Sequence, residues 1–252
     1  MKRSIVGIVF KSLGAGVVLT YLAFSLMAFR IDDQDIKCSD LTISIHGNIP
    51  LLTEDEIHEV LNDIRLHPIG TSLNELYTNE IERFLEQNPV VKSARCFHTP
   101  DGQASLDLYL REPLFLVSGK ENYYVDTEKK IMPVRTNRLA YVPLVTGRVT
   151  RTMATGELFD FVNYIINNSF WNAQIAQIHV RDDLKVELVP RVGDAVILLG
   201  KIEQYQEKLD KVFRLYTEGF SVMGWNNYTL LDLQYNGQIV ATKKDMTNKH
   251  HL

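Results

Sequence analysis

The chain lacks most of what marks an enzyme or a nucleic-acid binder. It has two cysteines in 252 residues, Cys38 and Cys96, too few for a disulfide scaffold. They could pair in an oxidising compartment, but two unpaired thiols, buried or not, are the favoured reading. There is no glycine-rich nucleotide loop, no His-Glu-x-x-His and no Gly-x-Ser-x-Gly. No repeat or low-complexity segment is visible. Basic charge is scarce where it would matter. Lys2, Arg3, Lys11 and Arg30 precede Ile31, which leaves 23 of the 27 Lys and Arg against all 31 Asp and Glu, a net charge of −8 from Ile31 onward. That excludes a general nucleic-acid binder, which needs a basic footprint. An apolar fraction of 45% excludes a disordered chain.

What is present begins with one uncharged run, Ser12 to Phe29. As a helix rising about 1.5 Å per residue it nearly spans a hydrocarbon core of roughly 30 Å, and Lys11 can snorkel to lengthen the span. Lys2, Arg3 and Lys11 lie before it; Asp32, Asp33 and Asp35 follow. The basic side predicts a cytoplasmic N-terminus and everything after Phe29 outside. A cleaved signal peptide needs small residues at its cut site. The nearest candidate, Ala23-Phe24-Ser25, sits inside the apolar run, which favours an uncleaved anchor.

The remainder reads as a polar linker to Asp40, then strand, helix, helix, strand, strand. Leu41 to Ile45 alternates as a half-buried strand. Thr53 and Glu56 form a capping box flanked by Leu52 and Ile57, so a helix starts at Glu54 with Ile57, Val60, Leu61 and Ile64 inward. A second helix spans about Thr78 to Gln87, ended by Asn88-Pro89. Strands at Ser93 to Thr99 and Ala104 to Arg111 flank a Pro100-Asp101-Gly102 turn, with Leu106, Leu108 and Leu110 on one face. After Pro113 come short strands at Leu114 to Ser118, Tyr123 to Asp126 and Ile131 to Pro133. A helix follows at Gly156 to Asn167, then strands at Ile175 to Val180, Lys185 to Pro190 and Ala195 to Gly200. The helix Ile202 to Glu218 is capped by Gly219, and Asn236-Gly237 joins a last hairpin, Leu230 to Tyr235 with Gln238 to Thr242. The expected fold is α+β. Its parts are a cytoplasmic segment 1–11, a membrane helix 12–29, a linker 30–40, a β-α-α-β-β domain 41–112, a mixed β-sheet domain 113–243 and a polar tail 244–252.

Candidates for chemistry are thin. His58 has no second histidine at ligand spacing and reads as a solvated helix position. Cys96 and His98 share one side of a strand, without a third ligand. Asp107 and Asp232 lack a paired carboxylate, and His250 and His251 lie in a loose tail. No cofactor is expected. Lys129, Lys130, Arg135, Arg138, Arg148 and Arg151 form a stretch free of acidic residues. It reads as a solvated surface, or as a contact for anionic lipid or an acidic partner. A final strand at Gln238 to Thr242 would sit at a sheet edge, open to a partner strand or covered by its own chain.

Several short motifs together resemble the bacterial division family FtsQ/DivIB over nearly the whole chain. Asn88-Pro89-Val90-Val91-Lys92-Ser93-Ala94 is similar to its Pro-x-Val-x-x-Ala signature, and Leu110-Arg111-Glu112-Pro113 to its Glu-Arg-x-Pro exit, with a shift. Tyr123-Tyr124-Val125-Asp126 resembles its Tyr-Val-Asp turn. Leu199-Gly200, Tyr205 and Lys208-Leu209 resemble its Leu-Gly, Tyr and Lys-Leu positions. Leu231-Asp232-Leu233-Gln234-Tyr235 resembles its Asp-Leu-Arg-Tyr strand, with Gln234 in place of the usual Arg. The short tail and the spacing point to a Bacteroidetes-like branch.

The resemblance implies that the β-α-α-β-β unit is a POTRA domain. It implies a non-enzymatic, single-pass inner-membrane scaffold of the septal divisome. Such a scaffold recruits FtsB and FtsL partners and helps control peptidoglycan synthesis. It further implies strand augmentation at Tyr235, Gly237, Gln238, Ile239, Val240, Ala241 and Thr242, and contacts of the POTRA domain with other divisome members. The competing readings are an anchored envelope enzyme, which would need a nucleophile or metal cluster, and a POTRA-bearing accessory of outer-membrane assembly, which would show tandem units or a barrel.

Overall fold

The structure, a computed structural model, describes residues 16–25, 36–135, 138–220 and 224–244. Residues 16–25 form a helix, α1, on which Val17, Val18, Leu19, Tyr21, Leu22 and Phe24 all face outward, half or more exposed. No helix among the described residues is long and apolar enough to cross a membrane. Positions 12–15 and 26–29 of the expected span, linker residues 30–35 and tail residues 245–252 lie outside the described residues.

The first folded unit runs β1 (Asp40–His46), α2 (Glu54–Asp63), α3 (Thr78–Glu86), β2 (Val91–His98) and β3 (Gln103–Leu110). Its sheet order is β1-β3-β2, with β1 parallel and β2 antiparallel to the central β3. The two helices between β1 and β2 let β1 return parallel beside β3. The capping box at α2 forms on both sides: the Glu56 amide donates to Thr53 Oγ1 at 3.4 Å and the Thr53 amide to Glu56 Oε2 at 2.9 Å. Ile57 and Leu61 are buried, whereas Val60 is 36% exposed and marks the edge of the stripe. Alternation on β3 buries Ala104, Leu106, Leu108 and Leu110 against the helices. The chain engages this unit ahead of β1. Leu73 donates its amide to the Ile36 carbonyl at 3.0 Å and Cys38 donates to Thr71 at 2.8 Å.

The second unit is a nine-stranded sheet ordered β12-β11-β10-β9-β8-β7-β4-β5-β6. Its strands are β4 (Pro113–Ser118), β5 (Tyr123–Asp126), β6 (Ile131–Pro133), β7 (Leu144–Gly147), β8 (Ile175–Val180), β9 (Val186–Pro190), β10 (Val196–Gly200), β11 (Tyr228–Asp232) and β12 (Val240–Lys243). The helices are α4 (Arg151–Thr155), α5 (Glu157–Asn167), α6 (Ser169–Gln174) and α7 (Tyr205–Arg214). Phe161, Val162, Trp171, Leu209 and Val212 from these helices pack with Phe115, Val145, Ile178, Leu188, Ile197 and Leu231 from the sheet.

Alternation on β5 splits two cores. Tyr123 and Val125 join this cluster, while Tyr124 on β5 and Met132 on β6, both fully buried, join the core of the first unit. Glu56 reinforces that junction, accepting from Arg135 at 3.0 Å and Arg138 at 2.9 Å.

Four elements depart from expectation here. β7, α4 and α6 were not foreseen. The helix expected over Ile202 to Glu218 begins at Tyr205, after Gln204 in left-handed conformation. It runs into a π-helical turn over Leu215–Gly219 rather than ending on a Gly219 cap.

Candidate functional site

β12 lies at one end of the nine-stranded sheet and pairs only with β11 among the described residues. Its register is Asp232 with Val240, Leu231 with Ala241, Leu230 with Thr242 and Tyr228 with Lys243, the bulge falling at Thr229. All four residues of β12 are exposed. Lys244 pins its end through its ammonium on Asp194, 2.9 Å away, and its backbone N–H, which donates to the Asn227 carbonyl at 2.9 Å.

The expected hairpin needs correction. β11 ends at Asp232 and β12 begins at Val240, so Tyr235, Gly237, Gln238 and Ile239 lie in the connection and only Val240, Ala241 and Thr242 in the strand. The cause is local. The Asp232 carboxylate accepts the Gln234 amide at 2.9 Å and its side-chain amide at 3.1 Å, turning the backbone out of the ladder with β12. Gly237 still takes the positive φ, +80°, that an Asn-Gly turn needs. Tyr235 is 53% exposed, and Ile239 packs against the chain's own core while Val240 is 41% exposed. The edge therefore presents Val240 rather than Ile239.

The opposite end of the nine-stranded sheet is blunted. β6 is three residues long and ends on Pro133. In the first unit Gly70 to Ser72 flank only the segment ahead of β1, and β1 itself pairs with β3 alone among the described residues. Outward amides of β2 are bonded by glutamates of α3.

The motif residues are structural supports of this arrangement. Lys208 on α7 donates its ammonium to the carbonyls of Leu199 at 3.0 Å and Lys201 at 3.2 Å, closing the end of β10; burial holds its pKa down. Gly200 has φ +78°, and a Cβ there would stand 2.7 Å from Gln234 Cγ. Gln234 thus packs over a position that must be glycine. Leu233, buried, donates its amide to Leu198 at 2.9 Å and extends the parallel pairing of β10 and β11. At the exit from the first unit, Arg111 meets the buried Asp126 carboxylate at 3.0 Å. Asp126 also accepts amides of Glu128 at 2.8 Å and Lys130 at 2.6 Å. One carboxylate thereby holds both the exit and the β5–β6 turn. Arg111, not Glu112, is the partner on the exit side.

Comparison with protein families decides what this arrangement is. A family described as FtsQ/DivIB, C-terminal related, matches residues 112–242, and a POTRA-like domain matches residues 36–109. The chain belongs to the FtsQ/DivIB family. Comparison with curated proteins finds no match. The FtsQ/DivIB family is generally one of non-enzymatic cell-division scaffolds, and its two domain types suggest a divisome scaffold role.

Set against the family's features, the remaining candidates are ordinary. His58 is not simply solvated: its Nδ1 lies 2.9 Å from His67 Nε2, and burial together with His58 lowers the His67 pKa. Cys96 faces inward while His98 is exposed, and burial pushes the Cys96 thiol up to about 11, against metal binding. Cys38 and Cys96 are both free and buried. Asp107 on β3 sits opposite Arg95 on β2, and Asp232 is spent on Gln234. No group of three or more potential metal ligands occurs among the described residues.

The basic stretch is mostly engaged within the chain. Lys129 meets Asp160 at 2.8 Å, Arg135 and Arg138 hold Glu56, Arg148 donates to the Asp182 carbonyl at 2.9 Å, and Arg151 meets Glu121 at 2.9 Å. A cleft of about 1160 Å³ opens beside Gly147 and Val180, at the carboxyl ends of parallel β4, β7 and β8. It sets Lys120, Arg148, Arg151 and Arg181 against Glu121, Asp182, Asp183 and Glu187, so its charges balance.

Proposed function

We propose that the protein is a non-enzymatic scaffold of the bacterial divisome that captures FtsB- or FtsL-type partners by strand addition at β12 and so helps control septal peptidoglycan synthesis. The observation that carries this reading is the exposed outer side of β12 at the end of the nine-stranded sheet, whose opposite edge, β6, is three residues long and ends on a proline. Main-chain hydrogen bonds at such an edge contribute about 0.5–1.5 kcal/mol each, and Val240 adds an exposed apolar contact. Within this proposal residues 12–29 anchor the chain in the inner membrane, residues 1–11 are cytoplasmic, and 30–40 link the anchor to the exterior. Residues 41–112 form the POTRA domain, 113–243 the β domain and 244–252 a tail. The apolar outward surface of α1 supports the anchor. The POTRA domain is assigned contacts with other divisome members.

The test is capture of the extracytoplasmic parts of FtsB and FtsL candidates by the full-length chain in detergent. Neighbouring strand residues point their N–H groups to opposite sides, so Val240→Pro and Ala241→Pro are compared. One of the pair loses the outward N–H and abolishes capture with the melting temperature unchanged. Capture surviving both substitutions refutes the site, and no capture by the folded wild type refutes the partner assignment.

A further inference from the structure

The middle of β2 is closed in an unusual way. β2 pairs with β3 on one side only, so alternate amides point away from the sheet. At the two central positions these amides meet carboxylates. Ala94 donates to Glu86 Oε1 at 3.2 Å and Cys96 donates to Glu82 Oε1 at 2.7 Å. Glu82 and Glu86 stand four residues apart on α3, a rise of about 6 Å along the helix. Ala94 and Cys96 stand two residues apart on β2, about 6.6 Å along the strand. The two spacings match, and the helix runs opposite to the strand it covers. α3 therefore occupies the place of a fourth strand, supplying carboxylate oxygens where a strand would supply carbonyls. Ile81 and Leu85 of the same helix are buried in the core, which holds both glutamates in position.

Without those carboxylates β2 would be an eight-residue edge with unpaired amides. It would be self-complementary. About a two-fold axis at Arg95, Ala94 of one copy stands opposite Cys96 of the other, and their outward amides and carbonyls pair. We infer that Glu82 and Glu86 are an edge lock, keeping β2 closed to strand addition by a second copy of this chain. The lock stands on the geometry of α3 and β2 alone, whatever β12 binds.

The experiment uses the full-length chain in detergent micelles. Amide hydrogen exchange and sedimentation velocity are compared for wild type, Glu82→Ala with Glu86→Ala, and Glu82→Gln with Glu86→Gln. In the alanine pair, exchange at Ala94 and Cys96 accelerates about tenfold, as expected when an amide loses a net hydrogen bond, and the chain dimerises. The glutamine pair keeps neutral acceptor oxygens and stays monomeric and protected. If the alanine pair does not fold, Glu86→Ala alone frees the Ala94 amide and carries the same two readouts. Unchanged exchange overturns the inference. So does faster exchange in a chain that stays monomeric, or a dimer that disappears when the chain is truncated before Gln238, which would place the contact at β12.

Discussion

Replacing Glu56 by glutamine separates charge from capping at the junction of the two units. Glutamine also closes a capping box, so the Thr53 amide keeps its acceptor while Arg135 and Arg138 lose the anion they share. The three side chains are 33%, 31% and 21% exposed. Solvent screening therefore discounts the ~1.5–3 kcal/mol of a shielded charge-assisted bond to about 1 kcal/mol per arginine, ~2 kcal/mol together. For a folded region of this size that is a fall of about 4–8 °C in melting temperature. Glu56→Ala also strips the Thr53 amide, adding about 1 kcal/mol.

The pH dependence follows from the carboxyl itself. Burial raises its pKa, but the Thr53 amide and the two guanidinium groups outweigh burial and hold it below the ordinary 4.5. A carboxylate depressed in the folded state stabilises the fold fully above its unfolded pKa and loses that contribution as pH falls through the folded value. The gap between wild type and Glu56→Gln, read by calorimetry of the full-length chain, is therefore flat from neutral pH to about 5 and closes in acid. Equal melting temperatures at neutral pH, or a gap that persists undiminished in acid, would refute the reasoning.

Asp126→Ala is expected to cost about 2–3 kcal/mol, because it strips the acceptor from two amides of the β5–β6 turn and leaves a partly buried Arg111 only Glu128, at 3.3 Å; a loss under about 1 kcal/mol in urea unfolding would contradict that role. Cys96, with its thiol pKa raised to about 11 and its side chain buried, resists iodoacetamide at mildly alkaline pH until the chain is unfolded. Rapid modification of the native protein would show that β2 opens.

The sequence was legible wherever a local rule and the tertiary structure agree. Thr53 and Glu56 announce α2 because a capping box is decided within four residues, and the leucines of β3 announce their buried face because alternation has one period. Elements whose stability comes from distant partners were missed. β7 is four residues, Leu144 to Gly147, recognisable only by β4 and β8 on either side. The last hairpin misled because Asn236-Gly237 is a strong turn signal, yet Asp232 and Gln234 had already turned the chain out of the ladder with β12. For the candidate site, the edge position of the last strand was readable from its place at the end of the folded region. That Ile239 is held by the core while Val240 is presented was not, since alternation says which residues share a face but not what covers it. The arginines at 135 and 138 were invisible as clamps, because their acid lies about eighty positions earlier in the chain.

The order of the nine-stranded sheet has a mechanical consequence. β6 abuts the POTRA core at one end and β12 stands at the other. Eight spacings of roughly 4.8 Å set them about 38 Å apart, and a twist of about 20–25° per strand turns the last strand through about half a revolution relative to the first. The sheet is thus an outrigger that sets its far rim at a standoff and heading from the POTRA-like domain.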